Sequence, residues 1–270
     1  MKKTDPSITF LNQWGYNVVK LPRAGIEPMD VIGNDGSSRL LGPIHSMWTP
    51  DNNVPEPVPG LPVSASQVNG KRTAALDVSL GLSVLSGALS AFGATVPSLD
   101  VAYHQAKSVQ FSYTGVTSTS VVLLDVGKYL AKGKMDKDSP VVQNYFFAKG
   151  AKAYLIVDVL KSNSITVTAT DEHGNSIGLD VPAIEGLVGA KVKVSPSSSS
   201  SSTITYSGPE PVTFGFSVQE IWPNGDGWKL HGNPLGGDIA FAIGDEDGDS
   251  SEPGQGVILP TNAGECRLDV

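Results

Sequence analysis

Between residues 164 and 194 apolar and polar side chains alternate with a period of two, and nothing else in the chain constrains its fold as tightly. Ile165, Val167 and Ala169 alternate with Ser164, Thr166, Thr168 and Thr170. Ile177, Leu179 and Val181 alternate with Gly178 and Asp180, and Ala190, Val192 and Val194 with Lys191 and Lys193. Successive side chains of a strand point to opposite faces, so each run predicts a strand with one apolar and one polar face. Two environments accept such strands. One is a sheet half-buried on a core; the other is the wall of a barrel whose outside meets lipid and whose inside meets water. Pro196 and the serines Ser197 to Ser202 stand between the last run and Thr203 to Tyr206, and predict a polar hairpin tip or a linker.

Upstream, Ala153 to Leu160 is apolar but for Asp158, the pattern of a strand central to a sheet, and Val109, Phe111 and Tyr113 alternate with Gln110 and Ser112. Ser120 to Leu130 reads as a helix, and Asp138-Ser139-Pro140 caps a second, short one running to about Phe147. Val78 to Val96 carries no charge. Its length would permit a membrane-spanning helix, but four serines and three glycines weaken that reading. At helical period Leu82, Leu85, Leu89 and Phe92 make one face and Ser79, Ser83, Ser86 and Ser90 another, which predicts a packed amphipathic helix. At strand period Val78, Leu80, Leu82 and Val84 alternate with Ser79, Gly81 and Ser83, so the same segment resists refolding as a strand only weakly. Thr49 to Pro62 holds five prolines and is neither a helix nor a central strand. Strands and helices mix without the regular alternation of a βαβ protein, which predicts an α+β fold.

The chain has 270 residues, 40% of them hydrophobic and 17% charged, a globular composition with ample material for a core. A single cysteine, Cys266, excludes an internal disulfide and fits a reducing compartment. Met1-Lys2-Lys3 leads into Thr4-Asp5-Pro6 rather than an apolar run, so the expectation is a cytoplasmic protein without a secretory signal. The net charge of −8 argues against nucleic acid as a partner. Most of that charge sits at the end. Residues 244–270 hold Asp245, Glu246, Asp247, Asp249, Glu252, Glu265 and Asp269 against Arg267 alone, a net −6 that leaves the rest of the chain at −2. Without its tail the body approaches an anionic lipid surface more easily.

Gly244 to Gly256 is an acidic, glycine-bearing loop, expected to be flexible and open to proteases. A calcium loop from Asp245, Asp247 and Asp249 fails on spacing, with Ser250 at the sixth position and Gly256 at the twelfth. Behind it, Val257-Ile258-Leu259-Pro260 is an apolar patch that needs somewhere to dock. Burying three aliphatic side chains gives about 5 kcal/mol before ordering costs. A free peptide of that strength binds with a dissociation constant of about 0.1–1 mM, so it relies on its tether to stay bound.

Enzyme chemistry finds little support. His45, His104, His173 and His231 lack metal-ligand spacing, and no nucleophile elbow or phosphate loop appears. Cys266 lies in an acidic end and is a poor candidate nucleophile. The expectation is a protein without catalytic residues, cofactor or metal.

The N-terminal region is the most specific. Asp5 and Pro6 begin a short helix with Ile8, Leu11 and Trp14 on one face, which Gly15 ends. Tyr16 to Leu21 reads as a strand, Pro22 to Pro28 as a turn, Met29 to Ile32 as a second strand, and Asn34-Asp35-Gly36 as the turn that closes it. Residues 10–33, from Phe10-Leu11-Asn12-Gln13-Trp14-Gly15 to Asp30-Val31-Ile32-Gly33, resemble the opening of the bacterial gasdermins; residues 120–160 and 212–229 resemble the family less strongly. The resemblance implies a single domain with a twisted, mainly antiparallel central β-sheet surrounded by helices. It implies a pore-forming domain over 1–243, a protease-sensitive linker over 244–256 and an autoinhibitory peptide over 257–270. Cleavage would fall near Asp247 or Asp249, and Val257, Ile258 and Leu259 would anchor the peptide. The strands carrying Ile165, Val167, Ala169, Val192 and Val194 would enter the membrane. The implied partners are an activating protease, caspase-like or other, then membrane lipids and further copies of the chain in a large ring. The intact protein would be cytoplasmic and the cleaved one would sit in the cell membrane, killing the cell as antiphage defence. Many relatives carry an N-terminal cysteine that becomes palmitoylated; residues 1–20 here have none, so no lipid is assigned. Without the resemblance, a non-enzymatic β-rich binding module fits the same residues.

Overall fold

Two long strands organise the molecule. The computed structural model describes residues 11, 15–35, 38–51, 54–73, 75–94, 99–197, 200–224, 227–231 and 267–268. The apolar run from Ala153 and the alternating run from Ser164, read as two strands in the sequence, are one continuous strand, β10 (Lys152–Thr170). Its first half is buried from Ala153 to Val157 in succession, as a strand covered on both faces must be. β12 (Ser200–Asn224) runs antiparallel to it, from Ala153↔Ile221 to Thr168↔Thr203. Register shifts at 156/158, 160/161 and 162/164 insert irregularities that bend and twist the pair.

Both strands change neighbours along their length. β10 pairs in turn with β2 (Asp30–Asn34), β8 (Thr117–Ser120) and β7 (Ser108–Thr114). β12 pairs in turn with β11 (Lys193–Ser197), β1 (Asn17–Arg23) and β13 (Gly227–His231). β3 (Ser38–Pro43) extends β2, β5 (Val63–Ser64) joins β8 and β6 (Leu76–Asp77) joins β7. β14 (Arg267–Leu268) lies parallel to β1, so that twelve strands form one sheet among the described residues. β4 (Trp48–Pro50) and β9 (Gly133–Met135) make a separate antiparallel pair.

Among the described residues four helices flank this sheet: α1 (Val78–Ala91), α2 (Leu123–Leu130), α3 (Pro140–Val142, continued by a π-turn over Gln143–Phe147) and α4 (Val181–Val188). The α+β class and the mainly antiparallel sheet match expectation. Three local readings do not. The helix expected from Ser120 starts at Leu123, because Thr117–Ser120 is held in the sheet by β10. The strand expected over Ile177–Val181 is absent. Asp180 caps α4 there, its carboxylate accepting from the Ala183 amide at 3.1 Å, with Pro182 in the first turn. The strand expected from Ala190 begins only at Lys193. The serine run behaves as a hairpin tip, with Ser197 paired to Ser200. Of the expected N-terminal helix, only Leu11 lies within the described residues, where it is buried.

Candidate functional site: a two-faced sheet beneath two helices

At one end of the sheet β11, β12, β10 and β7 lie side by side, and their alternation sorts side chains by chemistry. On one face Val109, Phe111, Ile165, Val167, Ala169, Val192, Val194, Ile204 and Tyr206 are buried in a single cluster. α1 covers this face with Leu82, Leu85, Leu89 and Phe92, the four residues that the helical period selected, while Ser79, Ser83 and Ser90 face solvent. α4 adds Ile184 and Val188. Tyr103 and Tyr206 join their hydroxyls at 2.6 Å within the cluster. Burial pushes the Tyr103 phenol up to about 12, and burial beside Tyr103 raises Tyr206 as well, so both stay neutral.

The opposite face carries hydroxyls. Thr166 and Thr205 meet at 2.8 Å, Thr168 and Thr203 at 3.1 Å, and Ser108 and Thr170 at 2.7 Å. Thr114 donates to Ser164 at 3.0 Å. These pairs match directly opposed positions in the ladders, where cross-strand side chains meet.

α1 lies against the sheet more closely than an ordinary helix could. A Cβ on Gly81 would stand 2.0 Å from Val109 Cγ2, and one on Gly208 would stand 2.5 Å from Phe92 Cγ. The uncharged helix is capped by Asp77, whose carboxylate accepts from the Ser79 amide at 3.0 Å, and ends at Gly93, whose φ of 86° favours glycine. In the sequence Gly81 is only a break in an apolar run and Gly208 only a residue between Ser207 and Pro209, and their role depends on Val109 and Phe92, distant partners along the chain.

A half-buried carboxylate ties the N-terminal segment to the centre of the sheet. Asp158, beside the first register shift of β10, accepts from the Tyr16 hydroxyl at 2.7 Å and from Ser118 at 2.8 Å. Burial raises its pKa above the ordinary carboxylate range, an effect that the two hydrogen bonds oppose. Farther along the sheet, β14 holds the chain end at β1, with Val18↔Arg267 and Val19↔Leu268 in register. That contact falls eight residues beyond Leu259.

Of the residues singled out in the sequence, Ile165, Val167, Ala169, Val192 and Val194 come together on the apolar face. Asp247, Asp249, Val257, Ile258 and Leu259 lie outside the described residues. Among those described, no group of His, Cys, Asp and Glu is placed to hold a metal ion, and no helix is long and apolar enough to cross a membrane.

The fold is a single, mostly antiparallel twelve-stranded sheet flanked by helices, and comparison identifies the group to which it belongs. The family model described as Bacterial Gasdermin Family matches residues 19–228. A gasdermin from Vitiosangium sp. is 39% identical over 242 residues, 89% of each chain. One from Lysobacter enzymogenes is 33% identical over 273 residues, covering 98% of this chain and 94% of its own. The solved structure of a bacterial gasdermin from Bradyrhizobium tropiciagri shares the fold with a TM-score of 0.63 at 19% identity, over 85% of this chain and 91% of that one. The chain belongs to the bacterial gasdermins, a family of pore-forming cell-death proteins rather than enzymes, whose members associate with one another and with membranes.

Proposed function

We propose that this chain is an autoinhibited pore subunit, released when a protease removes its C-terminal peptide, and that β7, β10, β12 and β11 then become the wall of a large β-barrel. The segregation of these strands into an apolar face and a hydroxyl face is the observation that carries the reading. A barrel wall needs those two faces, one for lipid and one for the water-filled lumen. In the closed form α1 and α4 occupy the place that lipid would take.

β10 and β12 are long enough to span, but β7 and β11 are too short. A crossing strand takes about 9–11 residues, whereas β7 has 7 and β11 has 5. Residues 78–107 join β6 to β7 and residues 171–192 join β10 to β11, and these connections hold α1 and α4. They are the material from which the strands lengthen. The strand-like alternation inside Val78 to Val84 suits α1 to that conversion.

The pairing of β14 with β1 supports a docked tail. Cleavage falls in 244–256, beside Asp247 or Asp249, by a caspase-like or other protease, and it removes both the acidic segment and the anchors Val257, Ile258 and Leu259. The released subunits assemble into a ring in the cell membrane and kill the cell, a response suited to infection by phage. The test is dye release from anionic liposomes. A chain ending at Asp249 leaks them while the full chain does not; a folded Asp249-terminated chain that leaves them intact refutes the proposal.

A further inference from the structure

The ladder between β10 and β12 can be carried past its last rung, and the sequence beyond answers to the same register. From Ser164↔Ser207 to Thr168↔Thr203 the rungs follow one another without a shift. Continued in that register, Ile177, Leu179, Val181 and Ala183 come opposite Val194, Val192, Ala190 and Val188, on the face that holds Ile165 and Val167. On the hydroxyl face Gly178 comes opposite Lys193 and Asp180 opposite Lys191. Nearer the ladder, residues 171–175 meet residues 196–200, polar against polar. The loop centres on Glu185-Gly186, and glycine is the residue that tight hairpin turns favour; Pro182, with no N–H to give, falls in the last rungs before it. The same extension of β6 and β7, from Leu76↔Val109 and Asp77↔Ser108, centres their loop on Phe92-Gly93. Two separate connections, those holding α1 and α4, thus each carry a glycine where a hairpin would turn.

The closed form uses these residues otherwise. Asp180 caps α4, and β11 lies on the edge of β12 away from β10, with Val194↔Tyr206 and Ser195↔Thr205 in register. Leu179, Val188, Val192 and Val194 are packed in the apolar cluster. The alternation of Ile177 to Val181 serves no strand there. A local pattern at odds with the observed structure is what a segment with a second conformation shows. We propose that β11 exchanges partners when the pore forms. It leaves the edge of β12 and becomes the return strand of a hairpin that continues β10 and β12, with Asp180 and Lys191 paired across it on the water-filled side. This rests on the reading of these strands as a pore wall. In consequence β12 from Ile204 to Ser207 loses its present neighbour, and that edge is free to pair with a strand of the next copy.

The experiment uses the full-length chain with Cys266→Ser, which leaves no cysteine, and with the recognition site of an added protease placed in residues 244–256. Ser195→Cys with Thr205→Cys joins β11 to β12 where the closed form pairs them, at a spacing that suits a disulfide. After cleavage on anionic liposomes, the oxidised variant is expected to leak dye at about a tenth or less of the rate of the same variant reduced beforehand, because the bond holds β11 in its closed place. A charge swap tests the register independently. Asp180→Lys sets like charges across the hairpin and is expected to slow leakage about threefold or more. Adding Lys191→Asp is expected to restore the rate to within about twofold of the parent, which loss of the α4 cap alone would not allow. If the cysteine variant fails to fold, the swap decides. Oxidised and reduced forms that leak alike, or a swap that restores nothing, overturn the partner exchange and leave the pore reading standing. A parent chain that never leaks after cleavage overturns the pore reading, and this proposal with it.

Discussion

Replacing Gly81 with alanine tests whether α1 is seated on the sheet as closely as the structure has it. The added Cβ would stand 2.0 Å from Val109 Cγ2, well inside the separation of about 3.5–4.0 Å at which carbon atoms rest. Val109 is fully buried and, being β-branched, has little freedom to turn away. Overpacking of this kind costs about 1–3 kcal/mol. Alanine in a helix interior returns about 1 kcal/mol relative to glycine. The expected net loss for Gly81→Ala is therefore about 0–2 kcal/mol, in place of the gain that an exposed helix would show. Val109→Ala alone leaves a cavity and costs about 2 kcal/mol. Combined, the two changes remove the clash and keep the helix gain, so the double variant should be more stable than additivity predicts by about 1–3 kcal/mol. Urea denaturation of the four chains measures that coupling. In the chain ending at Asp249, Gly81→Ala should also hasten liposome leakage, because the helix leaves the sheet more readily. Gain of the full helix term by Gly81→Ala, together with additivity within about 0.5 kcal/mol, refutes the close seating of α1.

The pair Asp158 and Tyr16 sets a pH dependence. Because burial raises the folded-state pKa of Asp158, its favourable contribution is complete below the unfolded value of about 3.9 and is lost as pH rises through the folded pKa. Asp158→Asn should therefore gain stability relative to the parent between acid and neutral pH, and a constant difference across pH 4–7 in thermal melts contradicts this. Tyr16→Phe removes a hydrogen bond to the carboxylate and should cost about 1.5–3 kcal/mol at pH 7, with a smaller loss where Asp158 is protonated. In the tail, Ile258→Asp with Leu259→Asp in the full chain should cause toxicity in bacteria without any protease, and a benign double variant removes these residues as anchors.

Alternation is a local property, and it revealed the faces of β7 and β10 and the buried side of α1. It could not reveal that β10 runs unbroken through Lys161, Ser162 and Asn163, since continuity there depends on irregular pairing with β12 and on Ser162, which donates to the Thr114 carbonyl at 2.7 Å. It misled at Ile177 to Val181, where strand-like spacing overlaps the start of a helix; Asp180 and Pro182 were the better signal. Asp158 was visible as the polar break in an apolar run, but its partners Tyr16 and Ser118 lie 142 and 40 residues away. The parallel bridge of Arg267 and Leu268 to β1 involves too few residues to leave a period.

The central claim is that the apolar face of the β7–β10–β12–β11 sheet becomes the lipid-facing surface of a pore. A chain ending at Asp249 lacks Cys266 and so has no cysteine, which allows single cysteines at residues 165 to 169 to carry an environment-sensitive dye without background. On liposomes, labels at 165, 167 and 169 should be quenched by nitroxide lipids, and labels at 166 and 168 by aqueous iodide, in an alternation with period two. Labels that all report water, or that keep the signal of the uncleaved chain while the liposomes leak, contradict the account.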